Sequence, residues 1–214
     1  MKQKTLITII GNVASGKSTL TSLLSDHLSL EKLEADNLFQ TENPLAETFL
    51  SDMKRWGFTN EVWMTYHRAR LIAENVTRSA GSQIIIDSGL FMNWVYAYSH
   101  FAAGILTNHE WELYQEIYEM AENNFSSYAQ IVISLQYPLP TLLERISKRG
   151  RDYELRQYRE EYLIRLAAGV ESVESKISAS NIPLIIITDK EIQHFDQGND
   201  GLLSIAKKLA PHLT

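Results

Sequence analysis

Eight consecutive residues carry the clearest chemistry in the chain. Gly11, Asn12, Val13, Ala14, Ser15, Gly16, Lys17 and Ser18 fit G-x-x-x-x-G-K-[ST] at every specified position. Glycines let such a loop curl until successive backbone N–H groups point inward at phosphate oxygens. A helix opening at Lys17 adds partial positive charge at its N-terminus. Lys17 can reach the β- and γ-phosphates, and the Ser18 hydroxyl can ligate Mg²⁺, with Thr19 next in the run. The ligand this chemistry holds is a nucleoside triphosphate. The loop does not by itself separate a kinase from a GTPase or a motor.

A second cluster places Arg145, Lys148, Arg149 and Arg151 within seven residues. Arg145 and Arg149 are i and i+4 on one helix face. Gly150 breaks that helix, so Arg151 projects from the segment beyond it. Guanidinium groups so placed can close over a triphosphate, meet the charge on the transferred phosphoryl and exclude water. The spacing therefore predicts a basic lid over 145–154. The plain alternative is a solvated basic helix end answering the C-terminal dipole.

Positioning these groups requires a strand into the loop and helices around it. Apolar runs rich in Ile, Leu and Val lie at 5–10, 84–86, 130–135 and 183–188, with a weaker one at 30–34. Such runs suit strands buried on both faces of a parallel sheet. Between them, Leu20, Leu23, Leu24, His27 and Leu28 share one helix face after Ser18, and Phe58, Val62, Tyr66, Ala69, Ala73 and Val76 line a second, longer helix. Further helices are expected at 108–125, 139–148, 152–177 and 202–209. Strands alternating with helices predict an α/β, doubly wound parallel sheet of five strands.

The chain has 214 residues, 44% hydrophobic, and its 20 Lys and Arg against 26 Asp and Glu leave a net charge of −6. With neither repeat nor linker composition, one domain over 1–214 is expected. An acidic chain lacks the footprint of a nucleic-acid binder. With zero cysteines, thiolate metal sites, disulfides and cysteine nucleophiles are excluded. The N-terminal apolar run ends at Gly11, too short for a membrane span, so a cytoplasmic protein with no membrane partner is expected. The six histidines show no metal spacing and read as structural or exposed.

The loop, the acidic stretch Glu34-Ala35-Asp36-Asn37, the helix-heading Trp56-Gly57-Phe58 and the run K-R-G-R-x-x-E from Lys148 to Glu154 resemble the deoxynucleoside kinase family, nearest its bacterial deoxyadenosine/deoxyguanosine kinases. The resemblance runs from Thr5 to Glu171. It implies a three-layer P-loop fold, a homodimer, and Mg²⁺-dependent transfer of the γ-phosphoryl of ATP to the 5′-hydroxyl of a deoxynucleoside. It also implies Glu34 as base, with Asp36 as fallback, Arg68 reading the nucleobase, and Arg145, Arg149 and Arg151 as lid arginines, Arg149 also toward ATP. Glu154 falls among the substrate-binding residues, and Asp87 joins Ser18 in holding Mg²⁺.

Two departures from the family stand out. Its third strand ends Glu/Asp-Arg-Ser, whereas this one ends Asp87-Ser88-Gly89. Losing that arginine's charge-assisted contact costs about one to two decades in rate. The family's nucleobase-gripping glutamine and aspartate are also exchanged, since the matching positions hold Glu61 and Asn93. Glu61 and Arg68 are seven apart, hence on one helix face. Glu61, Arg68 and Asn93 are read as one polar set with an acid, a cation and an amide. A carboxylate only accepts hydrogen bonds, so the exchange favours bases with an amino donor, purines and cytosine, over thymine. A plain surface ion pair of Glu61 with Arg68 or Arg70 is the alternative.

Among the aromatic residues, Phe58 and Phe91 are first choices for ring contact with the base, and Tyr66 for a sugar hydroxyl. The rival functions are a P-loop kinase for another small acceptor and a nucleotide-binding regulatory paralogue with weak or no catalysis.

Overall fold

A computed structural model describes residues 3–34, 43–151, 154–155, 158–189 and 199–213. Five strands, β1 (Thr5–Gly11), β2 (Glu31–Glu34), β3 (Gln83–Asp87), β4 (Ala129–Gln136) and β5 (Leu184–Thr188), form one sheet in the order β2-β3-β1-β4-β5. Every pairing is parallel. The helices are α1 (Lys17–Leu28), α2 (Ala46–Ser51), α3 (Met53–Arg78), α4 (Leu90–Ala102), α5 (Asn108–Asn123), α6 (Leu139–Arg149), α7 (Glu160–Ser178) and α8 (Asn199–Leu209).

The sheet is buried on both faces because its strands are apolar at odd and even positions alike. Leu6 and Ile10 of β1, Ile84 and Ile86 of β3 and Val132 of β4 join a core under α3, α4, α5 and α7. Ile7 and Ile9, Ile85, Ile131 and Ile133 face the other way, onto Leu20 and Leu24 of α1 and Ile205 and Leu209 of α8. The expected α/β sheet of five parallel strands between helical layers is therefore the fold.

Two helix expectations need correction. Helix α4 has no counterpart in the periodicity reading. It is apolar nearly all round, with Leu90, Phe91, Met92, Asn93, Trp94 and Val95 all buried, so no polar stripe marks it. The helix expected over 152–177 begins only at Glu160, because Arg159 before it is extended (φ −80°, ψ 168°). Glu160 and Glu161 then place negative charge in the first turn, where the helix dipole favours it. Residues 152–153 and 156–157 lie outside the described residues.

Helices α4 and α7 approach backbone to backbone at Gly169. A Cβ there would lie 2.8 Å from the Val95 carbonyl oxygen and 3.1 Å from its Cα. The same contact fixes how deeply Tyr162 and Arg165, one to two turns earlier on α7, project beside α4. Gly169→Ala should push the two helices apart at about 1–3 kcal/mol, lowering the thermal midpoint by about 3–10 °C. An unchanged midpoint in a calorimetric scan would contradict this close approach.

Candidate active site

The chain leaves β1 toward β2 and β3 on one side and later adds β4 and β5 on the other, so the carboxyl end of β1 is a switch point where ligands bind. The phosphate loop sits there. Gly11 has φ +148°, and a Cβ on it would meet the Leu135 carbonyl oxygen at 2.8 Å and the Ser15 hydroxyl oxygen at 2.9 Å. Gly16 takes the left-handed conformation just before α1, at φ +91°. Lys17 is buried, and its Nζ donates to the carbonyls of Gly11 (3.1 Å) and Asn12 (2.9 Å). The Asn12 side chain accepts from the Val13 N–H at 2.8 Å and donates to the Leu163 carbonyl at 2.8 Å, tying the loop to α7.

Val13, Ala14, Gly16, Lys17, Ser18 and Thr19 line one end of a cavity of about 780 Å³. Gly11, Asn12 and Ser15 shape the loop from behind. The cavity continues along one face of α3 (Asn60, Glu61, Met64, Arg68) and one face of α4 (Asn93, Tyr96, His100). These positions recur every three or four residues, as one helix face requires.

At this second end Glu61, Arg68 and Asn93 are 2%, 1% and 1% exposed. Arg68 Nη1 donates to Asn93 Oδ1 at 3.0 Å. Glu61 Oε1 accepts from Asn60 Nδ2 at 2.9 Å and pairs with His100 Nδ1 at 3.0 Å. Asn60 Oδ1 accepts from Asn43 Nδ2 at 2.8 Å. Behind the set, Tyr114 shares a 2.9 Å hydrogen bond with Thr65. Burial, with the Glu61 charge nearby, pushes the Tyr114 phenol well above its usual range, so it stays neutral. The surface ion-pair alternative fails, since Glu61 and Arg68 face the cavity and Arg70 pairs with Glu74 at 3.2 Å.

Arg149 and Arg151 line the cavity and converge on Glu154 Oε1, at 3.8 and 3.1 Å. Glu154 is 2% exposed. Arg145 does not line it. Its guanidinium lies 4.1 Å from the centre of the Tyr137 ring, and Nη1 donates to the Ala14 carbonyl at 3.4 Å. Arg145 therefore braces the loop rather than entering the chamber.

Glu34 ends β2 in register with Asp87 of β3. The Glu34 side chain and Asp36 lie outside what is described. Asp87 is buried and accepts from the Ser88 hydroxyl at 3.2 Å, and Ser88 itself holds φ +53°.

Three aromatic expectations are corrected. Phe91 is a core residue, two positions before Asn93 and so about 200° round α4 from the cavity. Phe58 is half-buried and packs on the same core. Tyr66, 59% exposed, stands edge-on to His67 at 5.0 Å. It is five residues from Glu61, hence about 140° away on α3.

Several lining residues carry no signal in the sequence, among them Asn60, Tyr96, Tyr162, His100 and Arg165. His100 had read as structural. Arg165, on α7, enters the cavity beside Tyr162, and its buried Nε has no hydrogen-bond partner among the described residues. Burial chiefly, with Tyr158 and Glu61, raises the Tyr162 phenol, while Arg165 pulls it down. None of these lining residues belongs to a local motif. Among the described residues there is no cluster of three or more His, Cys, Asp or Glu able to hold a metal, and no helix long and apolar enough to cross a membrane.

The family model for deoxynucleoside kinase matches residues 7–210. The chain is 27% identical over 190 residues to a deoxyguanosine kinase of Bacillus subtilis, covering 88% of this chain and 87% of that one. It is 29% identical over 163 residues to a deoxyadenosine/deoxycytidine kinase of the same organism, covering 73% and 71%. Among solved structures, deoxyadenosine kinase from M. mycoides with bound dCTP superposes with a TM-score of 0.74 at 24% identity, covering 96% of this chain and 99% of that one. The same enzyme with bound dATP gives 0.69 at 26%, covering 85% and 90%. A phosphate loop and a buried polar set at opposite ends of one chamber, in a fold shared along nearly its whole length, mean that this chain belongs to the deoxynucleoside kinase family, transferases that phosphorylate nucleosides.

Proposed function

We propose that the chain, as a single domain, transfers the γ-phosphoryl of ATP to the 5′-hydroxyl of a deoxynucleoside, with a purine or cytosine base favoured. The observation that carries this is the continuity of the cavity. One chamber joins Lys17 and the phosphate loop to Glu61, Arg68 and Asn93, so a triphosphate and a nucleoside can lie end to end.

In this reading the loop N–H groups and Lys17 hold the β- and γ-phosphates. Lys17 Nζ exchanges its contacts with the Gly11 and Asn12 carbonyls for phosphate oxygens. Arg149 and Arg151 meet the charge on the transferred phosphoryl, and Glu154 holds both while they wait. Glu34 takes the proton of the attacking hydroxyl. The hydroxyl oxygen bonds to the γ-phosphorus as the bridge to the β-phosphate breaks, releasing ADP. Ser18, exposed in the cavity, and Asp87, at the adjoining strand end, offer only oxygen donors, a set that fits Mg²⁺ carrying water and phosphate ligands. A bound Mg²⁺ would neutralise phosphate charge there. Catalysis is then mostly positioning and charge stabilisation.

Arg68 reads the base together with Asn93, and Glu61 accepts from an amino group. The sequence expectation of a homodimer gains support from the exposed apolar side chains Leu113 and Met120 of α5 and Tyr66 of the neighbouring α3. The absence of cysteine suits a reducing compartment, and the cytoplasm is the proposed location.

Lys17→Ala should cut phosphoryl transfer by about 10²-fold or more while leaving nucleoside binding near its original affinity. The check is ADP release with and without each deoxynucleoside, beside calorimetric nucleoside binding. Undiminished turnover would exclude the loop as the donor site. Glu61→Gln should change the order of preference among the four deoxynucleosides by about tenfold in relative kcat/KM. An unchanged order would remove Glu61 from base recognition.

A further inference from the structure

We propose that His100 is a specificity-determining residue: by occupying one oxygen of Glu61, it presents the other to an amino group of the nucleobase. This rests on the base-reading role given to Glu61 above.

Glu61 lies on α3 and His100 on α4, with side chains only 3% and 12% exposed. A carboxylate has no proton to donate, so His100 Nδ1 carries the hydrogen in their 3.0 Å contact. Asn60 Nδ2 donates to the same oxygen, Oε1, at 2.9 Å. Two donors thus converge on Oε1. Among the described residues no hydrogen bond reaches Oε2, and Glu61 lines the cavity. The terminal torsion of a glutamate is broad and nearly two-fold, so an untethered carboxylate would exchange its oxygens freely. Donors from two elements stop that exchange.

Both donors are themselves held. The His100 ring packs against Phe49 of α2, with centroids 5.4 Å apart and planes at 57°. Asn43 Nδ2 donates to Asn60 Oδ1, which turns Asn60 Nδ2 toward Glu61. In the same set, Arg68 donates to Asn93 Oδ1, so the Asn93 amide nitrogen is turned away from Arg68. The set therefore offers an acceptor, Glu61 Oε2, and a donor, Asn93 Nδ2. That pair complements a base edge with an amino group beside a ring nitrogen, as in adenine or cytosine. Thymine has a carbonyl in place of the amino group.

The test is steady-state kinetics of the full chain with ATP and Mg²⁺, using deoxyadenosine, deoxycytidine and the analogue of each lacking its amino group. Calorimetry with the same four nucleosides gives the equilibrium ratios. His100→Phe keeps a ring against Phe49 but removes the donor. It should raise KM for the amino-bearing nucleosides about tenfold, hold kcat within about twofold and leave the analogues unchanged. His100→Asn, which restores a donor near Nδ1, should recover most of the difference.

Glu61→Gln in the same assay separates the two claims. A shift in the amino-to-analogue ratio with Glu61→Gln but none with His100→Phe overturns the role of His100 and leaves that of Glu61 standing. No shift with either variant removes both. Equal handling of each amino-bearing nucleoside and its analogue by the unaltered protein also overturns the proposal. So does a loss with His100→Phe that is uniform across acceptors and not rescued by His100→Asn, because that would mark a purely structural residue.

Discussion

The structure is organised around one electrostatic demand, the need to hold several phosphate charges with N–H groups fixed before the ligand arrives. Loose donors would lose to water, which offers its own hydrogen bonds at no ordering cost. Here the loop is fixed from three sides. Gly11 lies so near β4 that a Cβ would strike the Leu135 carbonyl. Asn12 ties the loop to α7 through Leu163, and Arg145 reaches Ala14 from α6. Ala14 and Gly16 both hold positive φ, a conformation that disfavours side chains and persists only where its surroundings impose it.

Fixing the loop also dictates the sheet. A rigid cradle at the end of β1 needs β1 central and buried, with β3 and β4 on either side. Burial on both faces then requires helices above and below. The layer of α3, α4 and α7 lines the end of the cavity away from the loop, and the close contact at Gly169 lets α7 contribute Tyr162 and Arg165.

What could be read from the sequence follows from how local each signal is. The phosphate loop is contiguous, so its residues and its strand–loop–helix context were all visible. The strands were visible because doubly buried strands are unbroken apolar runs. Helix α4 was not, because burial on nearly every side erased its periodicity. The start of α7 was masked by helix-compatible residues ahead of the extended Arg159. Glu61, Arg68 and Asn93 were grouped through family resemblance, and composition alone did not join them. Phe58, Tyr66 and Phe91 misled because an aromatic residue near a site in sequence can sit on the wrong face of its helix. His100 and Arg165 were missed for the converse reason, since each reaches the cavity only through packing between helices distant in sequence.

Among the described residues, the lining of the cavity is basic although the chain as a whole is acidic. The protein carries a net −6, yet Lys17, Arg68, Arg149, Arg151 and Arg165 line the chamber against Glu61 and Glu154. The two acids have different tasks. Glu154 holds Arg149 and Arg151, and in the proposed reading a phosphate displaces its carboxylate, because phosphate brings more charge and more acceptor oxygens. Glu61 faces no such competitor, since its partners His100 and Asn60 are held by Phe49 and Asn43. The amide at Asn93 accepts from Arg68 and fixes the direction of the guanidinium within the cavity. Exchanging acid and amide between positions 61 and 93, relative to the family pattern, thus moves the negative charge from α4 to α3 while preserving one acid, one cation and one amide. In the proposed reading, charge balance at this end of the cavity survives the exchange, and the direction from which a base would meet a carboxylate does not.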